Sequence, residues 1–104
     1  MTILLNTDKN ISGNERLESY VNSTISEELS RFSEHITRIE VHLSDENGDK
    51  EGVNDKRCVL EARIKNKQPI AVTSDENTTE KAISDALDKL KVSIEKVISR
   101  SKDY

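Results

Sequence analysis

The spacing of the apolar residues changes along the chain, and that change restricts the chain to a small set of layered folds. Leu17, Tyr20, Val21, Ile25, Leu29 and Phe32 recur at helical spacing, and Ile83, Ala86, Leu87, Leu90, Ile94, Val97 and Ile98 do so again further on. Each set falls on one face of an α-helix. Between them, Ile39, Val41 and Leu43, then Cys58, Leu60, Ala62 and Ile64, alternate with polar residues, as strands with one wetted face do. Two amphipathic helices and a sheet with one dry side must bury those surfaces against each other.

The remaining punctuation completes the order. Ile3 to Asn6 reads as a first strand, closed by the polar run Thr7-Asp8-Lys9-Asn10. Ser12-Gly13-Asn14-Glu15 has the spacing of a capping box, which predicts a helix start at this point. Strands are expected over Thr37 to Ser44 and Arg57 to Lys65, joined by the acidic, glycine-punctuated loop Asp45 to Asp55. Asn66-Lys67 supplies a tight turn into a strand over Gln68 to Thr73, with Ile70 and Val72 on one face. Pro69, which has no N–H to donate, belongs near the start of that strand or on an edge. Asn77-Thr78-Thr79-Glu80 is a second helix-capping signature. The predicted class is α+β with the order βαβββα, a four-stranded sheet carrying both helices on one face. At 104 residues, one domain spanning 1–104 is expected. Glu28 falls on the apolar arc of the first helix, and the sequence names no partner for it.

Several classes of function are poorly served by these residues. His35 and His42 have no nucleophile motif beside them and there is no glycine-rich phosphate loop, so no catalytic residue and no cofactor are assigned. Asp45-Glu46-Asn47-Gly48-Asp49 opens like a calcium loop, but the sixth position is Lys50 and the twelfth is Lys56, where glycine and glutamate are needed. A solvated hairpin loop is expected there, without a metal. Cys58, the single cysteine, alternates with Leu60 and Ala62 and should pack as a small apolar group. No apolar run approaches the roughly 20 residues that cross a bilayer, and the N-terminus lacks a secretory pattern. A cytoplasmic protein without a membrane partner is expected.

The formal charge of −4 argues against gripping nucleic acid by bulk electrostatics, so any RNA contact must come from local clustering. No DNA partner is expected. Lys89, Lys96 and Arg100 supply such a cluster: at 100° per residue they project within about 20° of one direction, with Ser93 among them and Asp85 continuing the line.

The order of elements, the stretch Thr37-Arg38-Ile39-Glu40-Val41-His42-Leu43-Ser44, and Ala82-Ile83 followed by Asp88-Lys89-Leu90 resemble the ribosome-associated inhibitor and hibernation-promoting factor family. Ser44 to Gly48, Asn54 to Cys58 and Gln68 to Thr73 look closest to its short members. The resemblance covers nearly the whole chain. It implies a fold like a double-stranded-RNA-binding domain, and an activity of lodging on the small ribosomal subunit, against ribosomal RNA, where it blocks translation by occupancy. Lys89, Lys96 and Arg100 match basic positions of the family's second helix, and Arg31 is the one cation near Glu27 and Glu28 on the first, where relatives are more basic. Longer relatives carry a C-terminal dimerisation domain, and the chain stops at Tyr104, just past the second helix. A second reading keeps the fold but uses the acidic loop, or an open sheet edge, to bind a protein or to self-associate weakly.

Overall fold

A computed structural model describes residues 1–11, 13–46 and 55–102, without the side chains of the last three. The elements are β1 (Thr2–Thr7), α1 (Glu15–Glu28), a 3₁₀ turn (Ser30–Phe32), β2 (Ile36–Asp45), β3 (Lys56–Ile64), β4 (Ile70–Glu76) and α2 (Thr79–Lys102). The sheet runs β1-β2-β3-β4. β1 is parallel to β2, as a strand–helix–strand crossover requires, while β2/β3 and β3/β4 are antiparallel. The expected βαβββα order is the observed one.

The alternation in β2 and β3 delivers Ile39, Val41, Leu43, Cys58, Leu60, Ala62 and Ile64 to one face, where Val21, Ile25 and Leu29 of α1 and Ile83, Leu87, Leu90 and Ile94 of α2 join them in a single core. Ile36 joins as well, although it stands an odd three positions before Ile39. The register explains this: Ile36 faces Ile64 but Arg38 faces Arg63, so Thr37 is an extra residue on β2. Such a bulge reverses the facing, and Ile36 turns inward.

Local chemistry departs from expectation at several points. Asn14 caps α1, its Oδ1 accepting the Leu17 N–H at 2.9 Å. The expected capping residue Ser12 lies outside the described residues. The α-helix stops at Glu28, and the three-residue step from Leu29 to Phe32 is taken by the tighter 3₁₀ turn, which repeats every three residues. Tyr20 is exposed rather than core. At 100° per residue Leu17, Val21, Ile25 and Leu29 centre on a direction about 120° from Tyr20, so the four-residue steps define the buried face. β4 begins at Ile70, not Gln68, because pairing starts only after Pro69, and it runs on to Glu76. Ser74, polar but almost fully buried, continues the inward set of Ile70 and Val72 by donating its hydroxyl to Asp85 Oδ2 at 2.7 Å. Thr78 caps α2 through its Oγ1, which accepts the Lys81 N–H at 3.1 Å.

Asp8 joins the end of β1 to β2. Its Oδ2 accepts the Asp45 N–H at 3.1 Å, and its own N–H donates to the Leu43 carbonyl at 3.1 Å. Among the described residues no helix is long and apolar enough to cross a membrane.

Candidate nucleic-acid interface

The charge of the described surface is arranged by the elements that carry it. On the open face of the sheet, register sets Arg38 opposite Arg63 and Glu40 opposite Glu61. Each arginine pairs along its own strand, Arg38 with Glu40 at 3.4 Å and Arg63 with Glu61 at 3.8 Å. Arg57 is shared between Asp75 at 2.8 Å and Glu46 at 3.2 Å. This face is therefore close to neutral. His42, also on it, is exposed, as its place in the alternation predicts.

The seam between the helices is ionic as well. Lys91 Nζ lies 3.1 Å from Glu28 Oε1, and Arg31 pairs with Glu95 while its guanidinium stacks 4.6 Å from the centroid of the Phe32 ring. Lys91 supplies the partner that the Glu28 carboxylate lacked in sequence.

Lys89 and Lys96 occupy the other flank of α2. Lys89 Nζ donates to the Thr73 carbonyl of β4 at 2.9 Å and stays 3.9 Å from Asp85 Oδ2. Lys96 projects about 20° from Lys89, is exposed, and has no ion-pair partner among the described residues. The structure thus brings Lys89 and Lys96 together along the β4 side of α2. Arg31 is on the α1 side, since Glu95 projects about 240° around the helix from Lys89. The Arg100 side chain lies outside the described residues.

The opposite end of the domain is dominated by carboxylates. Lys56 Nζ sits 3.1 Å from Asp45 Oδ2 and 3.3 Å from Asp55 Oδ1, closing the base of the acidic loop. The hydrogen bond that Lys56 donates to Asp45 leads in raising the Lys56 pKa, against desolvation and with help from Asp55. Positions 47–54, the remainder of the calcium-like segment, lie outside the described residues. The lysine occupies the space between two carboxylates that a cation would need. A cavity of about 460 Å³ opens beside this end, lined by Ile11, Leu17 and Tyr20 with Arg16 and Glu80, which accounts for the half-wetted Tyr20. Cys58 is buried, and desolvation pushes its thiol up to about 12. A thiol so protonated is a packing group and a poor nucleophile.

Comparison with known proteins adds to this geometry. The model of the family described as Sigma 54 modulation protein / S30EA ribosomal protein matches residues 6–102. Among solved structures, the N-terminal domain of Protein Y from Thermus thermophilus superposes with a TM-score of 0.73 at 18% identity, covering 93% of this chain and 99% of that one. A ribosomal subunit interface protein from Coxiella burnetii superposes with a TM-score of 0.71 at 14% identity, covering 95% of this chain and 99% of that one. A search of curated proteins finds no match. At these identities the structural likeness speaks to the fold, which is shared with both.

Proposed function

The chain belongs to the Sigma 54 modulation protein / S30EA ribosomal protein family, that of the hibernation-promoting factors its sequence resembles, and on that premise we propose that it is a ribosome-associated hibernation factor in the cytoplasm. It lodges on the small subunit where messenger and transfer RNA would bind, and blocks translation by occupying that space without catalysing a reaction. The observation that carries the reading is the family match across residues 6–102. The placement of basic groups supports it. Lys89 and Lys96 line one flank of α2, clear of the carboxylates at the far end, so a chain of net charge −4 can still offer phosphates a cationic edge. By helical spacing in the sequence Arg100 is next on the line of Lys89 and Lys96, and Arg31 contributes from the α1 side once released from Glu95.

Sedimentation of the tagged protein through a gradient of lysate from starved cells tests the proposal. Signal in the small-subunit and intact-ribosome fractions is expected. Protein found only at the top of the gradient would overturn it. The acidic end, where Asp45 and Asp55 surround Lys56, favours a second reading as a protein-interaction module. That reading predicts the top-of-gradient result together with a protein partner sensitive to charge reversal at Glu46 and Asp75.

A further inference from the structure

The turn between β3 and β4 carries two lysines, Lys65 and Lys67, both exposed and neither in an ion pair with a described residue. Its shape is fixed. Asn66 holds a left-handed backbone (φ 61°), the Lys67 N–H donates to the Ile64 carbonyl at 3.2 Å, and the Lys65 N–H donates to the His35 carbonyl at 2.9 Å. Asparagine is one of the few residues that adopts that conformation readily.

The turn lies level with the second half of α2. Because α2 follows β4 after a two-residue link and packs back on it, the two run antiparallel, pinned where Lys89 reaches the Thr73 carbonyl. From Lys89 to Lys96 is seven residues of helix, about 10 Å. From Thr73 back to Ile70 is three residues of strand, again about 10 Å. Lys96 is therefore abreast of Ile70 and on the β4 side of the helix, with Pro69, Gln68 and Lys67 next in line. Three lysines from two separate elements thus stand at the same end of the domain.

The contrast with other cations of the domain is what gives this end meaning. Arg31, Arg38, Lys56, Arg57, Arg63, Lys89 and Lys91 each have a carboxylate within ion-pair distance. Among the described residues Lys65, Lys67 and Lys96 do not, and neither do Lys9, Arg16 and Lys81, but those three stand at the carboxylate-rich end: Lys9 beside Asp8, Arg16 with Glu80 around one cavity, and Lys81 with Glu76, Asp85 and Asp88 around another. Like charges gathered without counter-charges create a local positive potential that recruits anions.

We propose that the corner formed by Lys65 and Lys67 of the β3–β4 turn with Lys96 of α2 is a phosphate-binding surface that takes the backbone of ribosomal RNA. The proposal rests on the ribosomal reading above and extends the contact surface from a helix to a turn. A backbone contact here is sequence-independent and positions the domain on the RNA. Compensated cations such as Lys89 contribute less, since a phosphate must displace a carboxylate to reach them.

The test is the salt dependence of binding to purified small subunits, followed by fluorescence anisotropy of labelled protein. The variants are Lys65→Ala/Lys67→Ala, Lys65→Arg/Lys67→Arg and, from the acidic end, Lys81→Ala. The Ala pair should weaken binding and flatten the slope of log K against log salt by about 0.7 to 0.9 for each cation removed. The Arg pair should keep the original slope, and so should Lys81→Ala. An Ala pair that keeps its circular dichroism and binds with unchanged affinity and slope would overturn the proposal while leaving the ribosomal reading in place. Absence of binding by the unaltered chain would overturn both.

Discussion

Lys91 and Glu28, 63 residues apart in the chain, meet at 3.1 Å and tie the last turn of α1 to the middle of α2. Both side chains are part-exposed, so solvent screens the pair, and a double-mutant cycle should give a coupling of about 0.2–1 kcal/mol. Urea unfolding of Glu28→Gln, Lys91→Met and the double variant measures it. A coupling indistinguishable from zero would mean that the seam is held by Leu29 and its apolar neighbours alone.

The same ion pair shows where the sequence stops being informative. Periodicity identifies Glu28 as a misfit on an apolar arc, but it cannot see a partner that only the packing of the two helices supplies. The two antiparallel strands and α2 are legible because each is a long, regular pattern over Ile39 to Leu43, Cys58 to Ile64 and Ile83 to Ile94. The bulge at Thr37 is not, since a β-branched polar residue looks like any outward position until the Ile36–Ile64 pairing is seen. Ser74 falls outside the strand expected over Gln68 to Thr73, because its burial depends on Asp85, eleven residues on. Within the candidate site, Lys89 and Lys96 follow from helical spacing. Lys65 and Lys67 do not, because their place at the same end as the second half of α2 comes from the hairpin topology.

Leu90 is fully buried in the core between α2 and the sheet. Leu90→Ala should cost about 2–5 kcal/mol, combining the transfer energy of the removed atoms with the cavity left behind. Chemical denaturation monitored by circular dichroism measures it, and a change under about 0.5 kcal/mol, typical of surface sites, would contradict the packing described.

Cys58 gives a pH dependence whose sign is set by burial. Desolvation raises the folded thiol to about 12 from its ordinary value of 9.0, so the folded state holds its proton more tightly than the unfolded one. The contribution is fully present below pH 9.0 and disappears as pH rises toward 12, where the unfolded thiolate is favoured. Comparing the alkaline limbs of the chain and of Cys58→Ala isolates it: the variant should lose less stability across that window. Native Cys58 should also react with a disulfide reagent only as fast as the protein opens, and prompt reaction at about pH 8, below the ordinary thiol range, would contradict its burial.

The base of the acidic loop should not hold calcium specifically, because Lys56 already bridges Asp45 and Asp55. Calorimetric titration should show no micromolar site. One that persists in excess magnesium would show that the lysine gives way to the metal.

On the proposed function, cations along α2 bring this acidic chain onto ribosomal RNA. The most direct measurement is small-subunit affinity of Lys89→Ala/Lys96→Ala/Arg100→Ala across a salt series, with circular dichroism confirming the fold. Weaker binding and a flatter salt slope are expected, by just under one unit for each phosphate that is no longer neutralised, with Lys96 contributing more than the carboxylate-paired Lys89. A folded triple variant with wild-type affinity and slope would contradict it.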